Sequence, residues 1–495
     1  MTTGMEEGYR AIRAGTARQR MAFLLKDSVL YGGASAASRF LSIFTVPILT
    51  RVFSTAEYGV IDAIAVLGGV FASFATMGMD SAVARYFYET EDAAERREIV
   101  SQALLVQVVL ALLATGVLLL QAERIVGGAL AAPEYAGAFR LLAVALPFAV
   151  LVQFSRNLLK WVFARRQFLV VSLGSAAVVV ALTVVLAAGV GMGVEGVFWA
   201  QIAGLGLFSA LGLWYCRAWL TWPRSVRWVR PMLAFGWPYM LVGAFAGLVP
   251  SLDRVVTTRY LGLEAMGMYA VAYKVASLLL LPITGFQMAW GPFALALYRE
   301  PDAAETYDRV VMGFTAAAAL AAFSLAMLAG PLVRVFASER YLPAAALVLP
   351  LAFGLVIDAL SWITGIGIEL SKRTTLGVVS YFAGVGAGLG TMLLLVPSLG
   401  LAGVAWGMVA GRLALTVSRT LLAYRVWPVR FRLAAPALLL ALALGTGVAA
   451  QELPVGGPWL RAALAVLLGA VLLAACWRVA AGTWRLRPAA PLPSS

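Results

Sequence analysis

The sequence predicts an all-α polytopic membrane protein of about fourteen transmembrane helices: two pseudo-symmetric six-helix lobes and two additional C-terminal helices. Three observations predict it. The chain is 62% hydrophobic and 13% charged, with a mean hydropathy of +0.89, whereas soluble domains are about 45–50% apolar and about 25% charged. Its apolar residues come in runs of roughly 18–20 or more, the length that crosses a bilayer as a helix, not in the short alternating segments of a membrane barrel. Several short motifs also recur roughly two hundred residues apart.

The apolar segments fall near 28–50, 57–80, 99–121, 137–160, 168–190, 193–216, 232–257, 264–290, 309–331, 343–366, 375–396, 400–423, 433–450 and 459–480. The links between them are short. Residues 1–26 form a basic tail without an A-x-A-type cleavage site after a short apolar region, so an uncleaved cytoplasmic tail is expected. Residues 27–220 are expected to form the first lobe, 221–428 the second, and 429–495 the two further helices and a C-terminal tail.

Lys and Arg collect on alternate links. One set holds Arg10, Arg13, Arg18, Arg20 and Lys26, then Lys160, Arg165 and Arg166, then Arg217, Arg224, Arg227 and Arg230. It continues with Arg425, Arg430 and Arg432, and ends with Arg478, Arg485 and Arg487. The other set holds few, among them Arg124, Arg140, Arg334, Arg340 and Arg461. Positive charge favours the cytoplasmic side, so both termini are expected there. The same bias accounts for the net charge of +14 without invoking nucleic acid.

The repeat is specific. TRVFSTAEYG at 50–59 meets TRYLGLEAMG at 258–267, with Thr50, Arg51 and Gly59 matching Thr258, Arg259 and Gly267. GVEGVFWAQIAG at 193–204 meets GLAGVAWGMVAG at 400–411, and Arg165-Arg166 meets Lys372-Arg373. One offset at three landmarks points to duplication of a six-helix unit. Six being even, the copies are parallel repeats about an axis along the membrane normal. The period is far longer than that of solenoids. Arg51 and Arg259 are expected at an outer interface in structural roles.

Histidine is absent, which removes His-based metal ligation and Ser-His triads. Cys216 and Cys476 lie far apart and support neither a disulfide framework nor a metal site. No catalytic residue, metal or cofactor is expected.

Charges inside the apolar segments are the functional candidates, because each costs roughly 2.5–3.5 kcal/mol at the bilayer centre. Arg39 lies some 16 Å from either end of the first segment at 1.5 Å per residue, beyond the reach of snorkelling. Ser28, Gly32, Ser35, Arg39 and Ser42 form one small, polar stripe. Close helix contact would explain the small residues but not the arginine. Lys274 sits well inside the eighth segment with Tyr269, Tyr273 and Ser277 nearby, and Arg412 lies mid-span in the twelfth. Asp253 and Arg254 in the seventh segment, and Asp358 in the tenth, read either as cavity groups or as structural ion pairs. Asp62, close to the start of the second segment, reads as interfacial. The excess of deep cations suits an anionic substrate, phosphate above all.

These residues bring a resemblance with them. VPILTRVFSTAEYGV, LDRVVTTRYLGLEAMGMYAVAYKVAS, FQMAWGPFALALYRE and SLGLAGVAWG, in that order over roughly residues 25–425, resemble the polysaccharide and O-antigen flippases of the multidrug/oligosaccharidyl-lipid/polysaccharide exporter superfamily. The resemblance implies two lobes around a central cavity. It implies a bacterial inner-membrane protein that carries an undecaprenyl-pyrophosphate-linked oligosaccharide from the cytoplasmic to the periplasmic leaflet by alternating access. Membrane lipids, a polysaccharide polymerase and other assembly proteins are the implied partners. SRFL at 38–41 is similar to the first-helix Ser-Arg of lipid II flippases, where the arginine meets pyrophosphate; only Arg39 inherits that role. The cavity set is Arg39, Arg254, Lys274, Arg412, Ser35 and Tyr273, with Asp253 and Asp358 as coupling or ion-pair residues. A cation-coupled drug antiporter on the same fold is the competing expectation, although the first segment has no acidic residue past Asp27. A polysaccharide polymerase or ligase would need a substantial outer segment, and the outer links are short.

Overall fold

The computed structural model describes residues 45–297, 303–371, 373, 375–427 and 431–452, together with 30, 33, 34, 37, 38 and 41. Among these residues all regular structure is helical, and eleven helices are long and apolar enough to cross a membrane. The expected all-α polytopic class holds. About half of the first segment, Arg39 included, and all of the fourteenth lie outside the described residues. The chain forms two compact units, Met1–Gly267 and Met268–Ser495.

The first unit begins with α1 (Thr45–Val52) and α2 (Thr55–Thr76). Ser54 stops one helix and starts the next through a capping box. Its hydroxyl accepts the Glu57 amide at 3.2 Å, and its own amide donates to Glu57 Oε2 at 2.8 Å. The apolar run does not stay helical to its end. Met77 (φ 48) and Gly78 (φ 65) break it before α3 (Met79–Glu89). A side chain at Gly78 would strike the carbonyl oxygen of Gly236, so the break is also a backbone contact that only glycine admits.

Next come α4 (Ala93–Ala129), α5 (Ala136–Trp161), α6 (Arg165–Thr183, extended by a π turn to Gly189) and α7 (Gly193–Cys216). Phe87, Phe154, Leu158, Phe168 and Val171 form the apolar core between these helices. Cys216 is a buried thiol beside the Ser155 carbonyl.

The expected seventh and eighth segments are two helices that adjoin directly. Both lie in α8 (Val229–Ala276), which the non-helical backbone of Gly262 (φ 86, ψ 177) divides in two. The eighth segment is then broken by a 3-10 turn at Ser277–Leu279 before α9 (Leu280–Leu297). Glycine at positive φ lets the chain turn from one helix to the next without a longer loop.

The second unit continues with α10 (Ala303–Met327), α11 (Ala329–Phe336), α12 (Val348–Thr364), α13 (Ile366–Leu370), α14 (Thr375–Leu399), α15 (Leu401–Val426) and α16 (Ala434–Glu452). In the most apolar stretch of the span Glu339–Leu370, which contains α12, 83% of the residues are buried, far above its neighbours. It is apolar all round because helices surround it.

The duplicated glycines do the same work in both units. A methyl at Gly196 would stand 3.0 Å from the Ala187 backbone, and one at Gly403 would stand 2.6 Å from the Leu395 carbonyl. Gly204 abuts Val179, and Gly411 abuts Gly384 and Gly388. Each repeat therefore joins its last two helices through small-residue contact.

Candidate functional site

Among the described residues, most of the deep charges are held in ion pairs. In the first unit, Arg254 on α8 donates from Nε to Asp62 Oδ2 on α2 at 3.1 Å, and its NH1 lies 3.9 Å from Asp253 Oδ2. Arg254 is 1% exposed and Asp253 2%, so both charges are removed from solvent. The Thr257 and Thr258 hydroxyls turn back onto the Asp253 and Arg254 carbonyls at 2.6 and 2.7 Å.

Asp62 is thus not a simple interfacial residue. It lies seven residues into α2, about 10 Å, while Arg254 lies eight residues before the Gly262 bend, about 12 Å. Matching depths measured from the two repeated turns would have revealed the partnership.

The second unit holds its own pairs. Arg412 NH1 donates to Asp358 Oδ1 at 2.9 Å, between α15 and α12. One to two turns further along α15, Arg419 NH2 lies 3.3 Å from Glu369 Oε1, with its guanidinium carbon 5.0 Å from the Trp362 ring centroid. Thr364 and Thr420 share a hydrogen bond of 2.6 Å alongside. The Arg419–Glu369 pair was not singled out from sequence. Glu369 sits at the end of an apolar run and resembles an ordinary boundary charge.

Lys274 differs. No carboxylate among the described residues pairs with it. It is half-buried on α8, as are Tyr273 and Ser277, while Tyr269, Ala270, Val271, Ala272, Val275 and Ala276 are buried. Tyr273 stacks on Tyr269 at 6.4 Å, and Tyr269 points its hydroxyl at Met408 Sδ, 3.9 Å away. Lys274, Tyr273 and Ser277 therefore mark the open face of an otherwise packed segment. Arg39 and Ser35, both in the expected cavity set, lie outside the described residues.

A second feature of this unit is an apolar hollow of about 410 Å³ lined by Phe353, Ile357, Leu413, Leu440 and Leu444, with threonine hydroxyls as its few polar atoms.

Among the described residues, then, the membrane fold is wholly helical and carries charges paired between its helices. Among solved structures, the inward-closed lipid II flippase MurJ matches with a TM-score of 0.69 and 13% identity, covering 91% of this chain and 98% of its own. An inward-facing multidrug resistance MATE family transporter matches at 0.67 and 17%, covering 81% and 95%, and an outward-facing one at 0.60 and 17%, covering 82% and 96%. The family model described as "Polysaccharide biosynthesis protein" matches residues 48–346, more than half of the chain. The chain belongs to that polysaccharide biosynthesis family. A comparison with curated proteins found no match.

Proposed function

We infer that this protein flips an undecaprenyl-pyrophosphate-linked oligosaccharide from the cytoplasmic to the periplasmic leaflet of the bacterial inner membrane, by alternating access, for surface polysaccharide such as O-antigen. Both termini are cytoplasmic in this reading. The lobes are residues 27–220 and 221–428, with the remaining helices C-terminal to them. A polysaccharide polymerase and related assembly proteins receive the product.

The observation that carries the reading is Lys274. It lies twelve residues past Gly262, about 18 Å along the helix, near the middle of a hydrocarbon core about 30 Å thick. An ammonium on an open face at that depth, with no carboxylate beside it among the described residues, needs water or an anionic ligand. A pyrophosphate supplies the anion. Arg39 is the second expected contact, and Tyr273 and Ser35 line the path. Arg254 and Arg412 already hold carboxylates, so they bind substrate only if Asp62, Asp253 or Asp358 release them. That exchange gives the acids their proposed coupling role.

Replacing Lys274 with Ala should abolish surface polysaccharide while membrane levels of the protein hold, and Lys274→Arg should retain part of it. Normal polysaccharide in the alanine variant would remove the basis of the assignment.

The MATE-like fold favours a second reading, cation-coupled drug export. Under it, expression raises drug resistance and Asp253→Asn or Asp358→Asn abolishes the effect. Unchanged susceptibility on expression would sink it.

A further inference from the structure

The link between α7 and α8, with the helix ends beside it, concentrates two residue types. Residues 214–237 hold five of the chain's fourteen tryptophans, Trp214, Trp219, Trp222, Trp228 and Trp237, and four arginines, Arg217, Arg224, Arg227 and Arg230. No acidic residue occurs between Glu195 and Asp253. Tryptophan is enriched where a bilayer meets water, because its ring is apolar and its N–H is polar. Trp222 is 88% exposed and Val226 69%, so apolar side chains here point away from the protein.

Two shallow hollows flank Val226, which belongs to the wall of both. The first, about 590 Å³, lies against α4 and is lined by Leu104, Leu105, Val108, Trp222 and Arg224. The second, about 510 Å³, lies along the start of α8 and is lined by Arg230, Leu233, Ala234 and Trp237. The first hollow runs into Leu105, Val109, Leu112 and Leu113, exposed apolar residues of α4 whose i, i+4, i+7, i+8 spacing makes one face. Each hollow thus has mostly apolar walls and one arginine.

The link that carries these walls is pinned to α4. The Thr221 amide donates to Ser101 Oγ at 2.8 Å, and the Trp228 amide to Gln102 Oε1 at 2.9 Å. The arginines are not equivalent. Arg227 is held by Glu95 at 2.6 Å. Arg217 donates to the Trp214 carbonyl at 3.1 Å and lies over the Trp214 ring. Arg224 and Arg230 are exposed, and among the described residues no carboxylate pairs with either.

Two open guanidiniums beside two apolar hollows call for a molecule that is anionic and carries apolar chains. The chain's own tails do not complement them: residues 1–26 hold five basic and two acidic residues, and residues 453–495 hold no acidic residue. An isoprenoid pyrophosphate has one chain and gathers its charge at one point. A diacyl phospholipid has two chains and a phosphodiester between them, which matches two hollows with one arginine each. A zwitterionic headgroup would add an ammonium beside these arginines, where Glu95 and Glu98 of the adjoining α4 already hold Arg227.

We propose that this surface is a binding site for an anionic diacyl phospholipid of the phosphatidylglycerol type. The phosphodiester meets Arg224 and Arg230, as guanidinium suits phosphate. One acyl chain lies along Leu105 and Val108, and the other lies over Ala234 beside Trp237. Trp222 rests among the headgroups. The site goes beyond the flippase reading and does not depend on it, since an antiporter on this fold would hold the same lipid.

The test uses the full chain, purified in detergent and offered equimolar dioleoylphosphatidylglycerol, dioleoylphosphatidylethanolamine and undecaprenyl pyrophosphate. Bound lipid is read by native mass spectrometry. Phosphatidylglycerol should be retained over phosphatidylethanolamine. Arg224→Gln and Arg230→Gln should each weaken phosphatidylglycerol binding about five-fold, the loss expected for one arginine at an anionic lipid. Ala234→Trp fills the second hollow without changing charge and should weaken it several-fold. Arg217→Gln removes the same charge outside both hollows and should leave binding nearly unchanged. All four positions are exposed, so the variants should fold. Equal losses in Arg217→Gln and the two hollow arginine variants would mean diffuse surface attraction and overturn the site. Equal retention of the two phospholipids, or no loss in any variant, would do the same. If the variants weaken undecaprenyl pyrophosphate binding instead, the surface serves the transported lipid and the proposal falls. The Lys274 test of the flippase reading stands apart from each of these outcomes.

Discussion

Arg254 and Asp62 are 192 residues apart in sequence and 3.1 Å apart in space. A buried pair of this kind adds little net stability over an apolar replacement, because desolvation offsets much of the attraction, but removing one partner leaves a bare charge. Asp62→Ala and Arg254→Ala should therefore each destabilise the protein by about 3–5 kcal/mol. The double variant Asp62→Leu/Arg254→Met should recover most of that loss. Thermal unfolding in detergent checks it, and additive losses in the double variant would show that the two residues do not act as a pair. Arg412 and Asp358 carry the same expectation. The candidate charges were legible in sequence because a charge in an apolar run stands out. Their partners were not, since which carboxylate meets which guanidinium depends on helix packing that no periodicity encodes.

At the scale of elements, the two copies of the Thr-Arg…Gly motif meet each other. A methyl on Gly59 would lie 2.6 Å from the Leu263 carbonyl oxygen and 2.7 Å from the Gly267 amide, and one on Gly267 would strike the Thr55 carbonyl. Backbone cannot yield as a side chain can. Gly59→Ala and Gly267→Ala should each lower stability by about 1–3 kcal/mol, the cost of overpacking. Gly116→Ala, with open space around it, should be neutral or slightly stabilising. Equal melting temperatures for Gly59→Ala and Gly116→Ala would contradict the contact.

A second element-scale device is the segment between α7 and α8. The Trp228 amide donates to Gln102 Oε1 at 2.9 Å, and Gln102 Nε2 donates to Ser225 Oγ at 3.3 Å. Ser225 donates to Glu98 at 2.7 Å, and Arg227 pairs with Glu95 at 2.6 Å. In sequence these arginines registered only as positive-inside charge. In the structure Arg227 also helps to bolt the link to the start of α4. Gln102→Ala removes two of these bonds, and about 1–3 kcal/mol of local stability with them. Trypsin should then cut at Arg224 or Arg227 several times faster, with the rest of the chain intact; unchanged cleavage would show the clamp to be dispensable.

For the whole molecule, the charge bias predicts orientation. A fluorescent protein that folds only in the cytoplasm should be bright when fused after residue 220 and dark when fused between α4 and α5. The reverse pattern would invert the topology.

Hydropathy and run length determined by themselves that this chain is an all-α protein able to span the membrane many times, and the repeated offsets predict a duplication. Those features are linear: a bilayer tests each segment for apolar length, one at a time. Tertiary structure decided the rest. It showed that a single glycine, Gly262, divides the seventh helix from the eighth, that the second span breaks at Met77–Gly78, and that Arg254 and Arg412 hold carboxylates while none among the described residues pairs with Lys274. Each of these outcomes depends on which helix faces which, and that is fixed only when side chains from distant segments compete for the same buried volume.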